Sequence, residues 1–191
     1  MKKTGLFFGS FNPIHIGHLI LAEYFATQTE LDEVWLVVTP QNPLKKKDSL
    51  LDQYLRLDLV NRAIADNEHL RVSDIEFQLP KPSYTINTLI HLEAKFPHRS
   101  FSLIMGEDNL VSLPRWKNYE ELMKRFEIWV YPRIGQTQTH LAGHPNIHLV
   151  QAPVIEISST QIRENIRAGK SVKYLLPEQI HNFIIEEQLY R

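Results

Sequence analysis

The sequence predicts an α/β protein with a mainly parallel, doubly wound sheet and helices on both faces. Short apolar, β-branched runs alternate with segments whose apolar residues recur at helical spacing, along the whole of the 191-residue chain. The strand-like runs are apolar with little alternation, which is typical of parallel strands buried on both faces. The length favours a single domain that spans residues 1–191.

The first half of the chain repeats strand and helix in turn. In order, the patterns predict strand 4–8, helix 19–27, strand 33–38, helix 50–65, strand 70–77, helix 84–96 and strand 101–105. The first strand ends at Gly9, and the second is closed by Thr39-Pro40. The helix over 50–65 is preceded by Ser49-x-x-Asp52, a pattern in which two side chains cap free backbone N–H groups.

The second half continues the alternation with shorter elements. The patterns predict helix 120–125, strand 127–131, strand 147–150, helix 160–168 and helix 175–187. Gly169 ends the first of the two closing helices, and Pro177 lies near the first turn of the second. Right-handed crossovers place the loops that follow parallel strands on one edge of the sheet, where such sheets bind ligands. We therefore expect a crevice at this edge that suits an anionic nucleotide.

Composition excludes several classes of protein. Lys and Arg total 21 against 22 Asp and Glu, so no bulk positive field favours nucleic acid. The absence of cysteine rules out disulfides, thiolate metal sites and cysteine nucleophiles. No apolar run approaches the roughly 20 residues that span a bilayer. We expect a cytoplasmic protein without a nucleic-acid or membrane partner, and the sequence leaves open whether it forms a homo-oligomer.

A glycine- and histidine-bearing segment, residues 9–18, follows the first strand. Gly9 permits close approach of a ligand to the backbone, and Gly17-His18 opens a helix whose free N–H groups attract phosphate. His15 and His18 are spaced so that both imidazoles can reach one phosphoryl centre and stabilise charge that develops there. The alternative is that both histidines only cap a helix in a loop.

A second polar segment, residues 157–163, precedes one of the last helices. Hydroxyl groups of Ser158, Ser159 and Thr160 stand at a predicted helix start, and Arg163 follows one turn later. Such a set can bind a polyphosphate. The alternative is an ordinary N-cap with a solvated arginine.

The two segments together resemble a known superfamily. Residues 9–18 resemble the G-x-F-[DN]-P-x-H-x-G-H signature of the nucleotidyltransferases, and residues 157–163 resemble their I-S-S-T-x-I-R motif, which binds ATP phosphates. Three shorter matches, Ser83-Tyr84-Thr85, Gly106-x-Asp108 and Leu113-x-x-Trp116, resemble the bacterial nicotinate-nucleotide adenylyltransferase family. The resemblance covers nearly the whole chain and implies a Rossmann-like fold.

The resemblance also implies an activity in NAD biosynthesis. The 5′-phosphate of nicotinate mononucleotide would attack the α-phosphorus of ATP, and Mg²⁺ would arrive with ATP rather than occupy a protein metal site. The implied catalytic residues are His15, His18 and Arg163. The implied ATP-binding residues are Gly9, Ser10, Phe11, Gly17, Gly106, Asp108, Ser158 and Ser159. The implied acceptor-binding residues are Asn42, Lys45, Ser83, Tyr84, Thr85 and Trp116, with Trp116 stacking on the pyridine ring.

Two rival functions and one departure from the family pattern remain at this point. A phosphopantetheine adenylyltransferase shares both phosphate motifs, but it is usually shorter and lacks the Ser-Tyr-Thr and tryptophan segments. A nucleotide-binding regulator could keep the fold without turnover. Asn87 stands where the family usually has aspartate, which leaves the preference for nicotinate over nicotinamide mononucleotide open.

Overall fold

Strands and α-helices alternate in the computed structural model, which describes residues 1–40, 50–135 and 140–191. The strands are β1 (Lys2–Gly9), β2 (Glu33–Val38), β3 (Leu70–Ser73), β4 (Arg99–Gly106), β5 (Ile128–Tyr131) and β6 (Ile147–Leu149). The α-helices are α1 (Ile16–Gln28), α2 (Gln53–Ala63), α3 (Thr85–Lys95), α4 (Glu107–Ser112), α5 (Tyr119–Arg125), α6 (Ser159–Arg167) and α7 (Glu178–Glu186). Short 3₁₀ turns occupy Ile75–Phe77, Leu113–Arg115 and His140–Gly143.

The strands form one six-stranded sheet in the order β3-β2-β1-β4-β5-β6, with every neighbouring pair parallel. Strand β1 lies near the centre, where Leu6 is paired with Trp35 of β2 and Leu103 of β4. The strand order reverses between β1 and β4, which makes this the switch point where such sheets bind ligands. The predicted Rossmann-like fold is confirmed.

Both faces of the sheet are buried, each by its own core cluster. Leu6 packs in one cluster with residues of α3 and α5, and the next residue, Phe7, packs in the other with residues of α1 and α7. Successive side chains of a strand point to opposite faces. This is why the strands of this sequence are apolar without alternation.

Several element boundaries differ from those predicted. The strand predicted over 70–77 ends at Ser73, whose Oγ accepts the N–H of Ile75 at 3.4 Å as the chain turns into a 3₁₀ segment. Helix α2 begins at Gln53 rather than residue 50, because Asp52 is itself the N-cap and accepts from the N–H of Tyr54 at 2.9 Å. Ser49, the other half of the predicted cap, lies outside the described residues. Helix α4 was not predicted.

A buried carboxylate lies at the amino-terminal edge of the sheet, away from the loops that carry the motifs. Glu33 is 1% exposed and forms ion pairs with Lys2, Arg71 and Arg99, while Trp35 Nε1 donates to its Oε1 at 2.8 Å. Burial raises the pKa of Glu33, but these hydrogen bonds and the neighbouring cations outweigh it and hold the pKa below its usual value.

Across the described part of the chain, no helix is both long enough and apolar enough to cross a bilayer.

Candidate active site

The loop between β1 and α1 is shaped by the packing of Phe11. Phe11 is 1% exposed and takes a positive φ of 44°. Its ring lies so close to Gly9 that a Cβ atom there would come within 2.7 Å of it. Gly9 is therefore required by packing inside the protein. Because the Phe11 side chain is buried, a contact from this residue to ATP would have to come from its backbone.

The two histidines of the first motif lie face to face at the start of α1. Their ring centroids are 3.6 Å apart with planes inclined by 25°, and the N–H of His15 donates to Nδ1 of His18 at 3.3 Å. A Cβ atom on Gly17 would lie 3.1 Å from His15 Nδ1, so a side chain there would crowd the imidazole. The structure thus brings together the pair that the sequence predicts.

The two imidazoles differ in their surroundings. His15 is 4% exposed, and burial, with the charge of Arg133 in second place, lowers its pKa from 6.5 to about 4. His18 is only half-buried and meets the ring of Phe11 edge-on at 5.0 Å. His15 is consequently neutral near pH 7 and suits the role of hydrogen-bond donor.

Helix α6 is hydrogen-bonded directly to the first motif. Ser159 Oγ donates to the carbonyl of Pro13 at 2.9 Å, and Arg163 Nη1 donates to the carbonyl of Asn12 at 2.8 Å. Ser158 is the N-cap, with its Oγ accepting from the N–H of Gln161 at 3.2 Å. The segments at residues 9–18 and 157–163 therefore form one structural unit at the carboxyl edge of the sheet.

Arg163 retains donor capacity toward a ligand. Its Nε is buried, and no partner for it is present within residues 1–40, 50–135 and 140–191. Burial lowers the pKa of its guanidinium, although the group remains charged at neutral pH. The unpaired Nε–H of this cation suits an anionic oxygen, because a buried donor without a partner is costly.

A cleft of about 370 Å³ opens between the ends of β4 and β5 and the start of α6. Asp108, Arg133 and Ser158 line it together with apolar side chains, including Ile134 and Ile155. Its size and mixed lining are typical of small-molecule sites. The cleft adjoins the start of α6 through Ser158 and is large enough for a flat ring.

Gly106 is the last residue of β4 and lies two residues before Asp108, which lines this cleft. A Cβ atom on Gly106 would collide with Asp108 Oδ1 and lie 3.1 Å from Arg133 Nε. Arg133 is held by its own N–H, which donates to Glu107 at 2.9 Å, and by Nη2, which donates to the hydroxyl of Tyr131 at 3.2 Å. Its Nε lies 3.6 Å from Asp108 Oδ1. A small residue at 106 is thus needed for Asp108 to lie beside Arg133.

The predicted acceptor residues lie at the start of α3 and after α4. Tyr84 is the N-cap of α3 without a side-chain capping bond, and the first turn holds no acidic residue. Ser83 Oγ is buried and has no hydrogen-bond partner in the part of the chain that the structure describes. Lys117, next to the partly buried Trp116, places Nζ 4.3 Å from the centroid of the Tyr84 ring. The Ser-Tyr-Thr and tryptophan segments are therefore neighbours.

Two of the predicted acceptor residues, Asn42 and Lys45, lie outside the described residues. Arg56, which the sequence patterns did not single out, is fully buried. Its guanidinium donates to the carbonyls of Ser10 at 2.6 Å, Thr39 at 2.8 Å, Pro40 at 3.0 Å and Leu51 at 2.9 Å. Arg56 thus ties the loops after β1 and β2 to the start of α2. An isolated arginine in a helical pattern carries no signal of such a role.

Comparison with known families identifies the class of this protein. The cytidylyltransferase-like family model matches residues 6–165. A nicotinic acid mononucleotide adenylyltransferase of Plasmodium falciparum, solved in complex with NaAD, superposes with a TM-score of 0.83 at 19% identity, covering 100% of this chain and 98% of that one. A putative nicotinate-nucleotide adenylyltransferase from Vibrio parahaemolyticus gives a TM-score of 0.75 at 23% identity, covering 100% and 96%. The chain is a nucleotidyltransferase of the cytidylyltransferase-like family.

Relatives of higher identity narrow the family. A protein of Flavobacterium psychrophilum is 55% identical over 191 residues, with 99% of both chains covered, and one of Flavobacterium johnsoniae is 50% identical with the same coverage. A protein of Bacteroides fragilis is 48% identical over 97% of this chain and 92% of its own. Each bears the name "Probable nicotinate-nucleotide adenylyltransferase". The chain belongs to the nicotinate-nucleotide adenylyltransferase family.

Proposed function

We propose that this enzyme transfers AMP from ATP to nicotinate mononucleotide, forming nicotinate adenine dinucleotide and pyrophosphate in NAD biosynthesis. Its membership of the family supports this activity. The observation that carries it is the direct bonding of α6 to the histidine loop, through Ser159 to Pro13 and Arg163 to Asn12. These contacts join the two segments that we propose to bind phosphate, and they support one clamp at the switch point of the sheet.

The reaction requires alignment and charge neutralisation more than proton transfer. The attacking 5′-phosphate is already ionised, so neither a general base nor a covalent intermediate is needed. In this proposal His15 and His18 lie against the transferred phosphate, and His15 donates a hydrogen bond as a neutral imidazole. Their contacts strengthen as charge develops in the transition state, which is the condition for raising turnover.

The start of α6 is proposed to hold the departing diphosphate. The hydroxyl of Ser158 and the N-terminal N–H groups of the helix, including that of Ser159, provide donors, and Arg163 provides the charge. Gly9, Ser10, Phe11 and Gly17 contribute backbone and close approach. Mg²⁺ is proposed to arrive as part of the ATP substrate. Bound to the phosphates, it would disperse the charge of the leaving group.

The adenosine moiety is assigned to the cleft beside Gly106. There Asp108 would accept a hydrogen bond from a ribose hydroxyl, and the apolar side chains would pack on the base. The acceptor is assigned to the start of α3. The free N–H groups at the start of α3, Thr85 and the buried hydroxyl of Ser83 suit a pyridine carboxylate. Trp116 would stack on the pyridine ring.

An acidic acceptor is favoured by the charges around this helix start. The first turn of α3 holds no carboxylate, since Asn87 occupies the third position, and Lys117 places its cation over Tyr84. Both features favour an anion over a neutral amide. Lys45 and Asn42 are proposed to act from the loop after β2.

Pyrophosphate release with single acceptors tests this function. The protein is incubated with ATP and Mg²⁺, and with nicotinate mononucleotide, phosphopantetheine or no acceptor. Of these three reactions, we expect only the one with nicotinate mononucleotide to release pyrophosphate. Release with phosphopantetheine alone would instead identify a phosphopantetheine adenylyltransferase, and tight ATP binding without release in any tube would identify a non-catalytic regulator.

A further inference from the structure

The C-terminal end of the chain turns back into the loop that follows β1. Gln188 takes a positive φ of 52° just after α7, and the N–H of Leu189 donates to the carbonyl of Ile184 at 3.0 Å. This arrangement is the Schellman ending of a helix, which reverses the chain direction. It directs Tyr190 into the first core cluster, where only 8% of the residue is exposed.

Tyr190 is hydrogen-bonded to the histidine loop. Its hydroxyl donates to Asn12 Oδ1 at 2.9 Å, across 178 residues of sequence. The same Oδ1 accepts the N–H of Leu51 at 3.3 Å, and the backbone carbonyl of Asn12 accepts from Arg163 Nη1 at 2.8 Å. Asn12 is 3% exposed. One buried residue therefore connects the segment before α2, the phosphate-binding helix α6 and the end of the chain.

The phenol of Tyr190 is protonated at neutral pH and can keep the donor role. Burial raises its pKa above the usual value, and the nearby guanidinium groups of Arg163 and Arg56 act in the opposite direction. The ring is rigid because only two torsions orient it, and its body is packed against the core. A buried, rigid donor of this kind fixes the position of its acceptor more sharply than a solvated side chain would.

We infer that Tyr190 is a positioning residue for the phosphate site, acting through Asn12 on His15 and Arg163. This inference rests on the proposed function. Asn12 precedes His15 by only three residues, and its carbonyl orients the guanidinium that we assign to the diphosphate. When the Tyr190 hydroxyl is removed, the Asn12 amide loses a fixed donor, and the clamp can shift relative to the transferred phosphate. Small displacements of this kind cost rate steeply.

The substitution Tyr190→Phe removes the hydroxyl and keeps the ring. Tyr174→Phe is the matched control, because Tyr174 is 83% exposed. We expect kcat of Tyr190→Phe to fall about tenfold, with the KM for nicotinate mononucleotide within about twofold of wild type, since the acceptor residues lie on other elements. Tyr174→Phe should match wild type in both constants. Melting temperatures are measured for all three proteins.

Combining Tyr190→Phe with Arg163→Lys separates positioning from general destabilisation. The loss in kcat of the double variant should be smaller than the product of the two single losses, because both act through Asn12. The inference is overturned if Tyr190→Phe and Tyr174→Phe have the same kcat, if the losses multiply independently, or if the lost activity only follows the unfolded fraction.

Different measurements would refute the proposed function and the positioning role of Tyr190. A wild-type protein that releases no pyrophosphate refutes the proposed function, and ATP affinity then becomes the readout for Tyr190. Weaker ATP binding by Tyr190→Phe than by Tyr174→Phe would support the positioning role, whereas equal affinity would overturn it.

Discussion

His15 and His18 stack on each other, but they differ in how much of each side chain is exposed to solvent. His15 is buried and neutral, while His18 is half-buried beside the open edge of the sheet. A neutral imidazole can donate one hydrogen bond without carrying a charge into a dry site, which avoids a desolvation penalty. For these two residues, we therefore propose that His15 acts as a neutral hydrogen-bond donor and that His18 contacts the phosphate from a more exposed position.

The substitution His18→Ala tests that assignment. We expect mainly a loss of turnover, of about 100-fold or more, because the contact strengthens in the transition state. The measurement is steady-state kinetics with ATP and nicotinate mononucleotide. His98→Ala, in the exposed turn before β4, is the matched control and should retain the wild-type constants. An unchanged kcat with only a raised KM would contradict the role of His18.

The sequence motifs indicate the residues of the proposed phosphate clamp but not those that hold it in place. His15, His18 and Arg163 fall within motifs whose spacing is local, and the structure brings them together. Arg56 and Tyr190 act through contacts that span 46 and 178 residues, so no local pattern indicates them. Long-range partners of this kind become visible only when the chain is folded.

At the scale of the element, the start of α3 is attached to the preceding 3₁₀ turn by a buried pair. Thr88 Oγ1 donates to Glu76 Oε1 at 3.0 Å, and Glu76 is 3% exposed. Burial raises the pKa of Glu76 from 4.5 to about 7, with the Thr88 hydrogen bond opposing the shift. The folded protein therefore binds a proton in this range that the unfolded chain releases, and stability falls as the pH rises from 4.5 to 7.

The substitution Glu76→Gln removes this ionisation and keeps an acceptor for Thr88. We expect its free energy of unfolding to exceed that of wild type by about 2–3 kcal/mol at pH 8 and to match it near pH 5. Urea denaturation at the two pH values measures the difference. Glu120→Gln, at an exposed position of α5, should show no such dependence. If Glu76→Gln changed the free energy of unfolding equally at both pH values, ionisation of the buried Glu76 could not be the cause.

Sequence predicted most elements, and the failures have local causes. The strands were identified because double-sided burial makes them uniformly apolar. The apolar residues Ile75 and Phe77 favour a strand through residue 77, but Ser73 Oγ accepts the N–H of Ile75 and the chain turns into a 3₁₀ segment there. Helix α4 has only six residues, too short for helical periodicity to be recognised.

At the level of the whole molecule, the buried residues Glu33 and Arg56 each connect several elements, at opposite edges of the sheet. Glu33 joins strands at the amino-terminal edge, and Arg56 joins loops at the edge that carries the site. Both are almost completely buried and hydrogen-bonded. Loss of one partner from such a network leaves the others unsatisfied, which costs more than the loss of an exposed ion pair.

The substitution Arg56→Met should therefore impair both stability and activity. We expect the free energy of unfolding to fall by about 3 kcal/mol or more, because four carbonyl groups lose a donor. Arg62→Met on the same helix is the matched control, since its pair with Asp58 is solvent-exposed and should cost less than about 1 kcal/mol. Guanidinium denaturation provides the comparison, and equal losses for the two variants would refute this role for Arg56.

We propose that the site adenylylates a nicotinate nucleotide, and competition between two acceptors is the sharpest test of this claim. Wild-type protein receives ATP, Mg²⁺ and equal concentrations of nicotinate and nicotinamide mononucleotide in one tube, and both dinucleotide products are quantified by mass spectrometry. Nicotinate adenine dinucleotide should exceed the amide product about tenfold or more, since one missing charge-assisted hydrogen bond changes binding by this order. Equal amounts, an excess of the amide product, or no dinucleotide at all would contradict the claim.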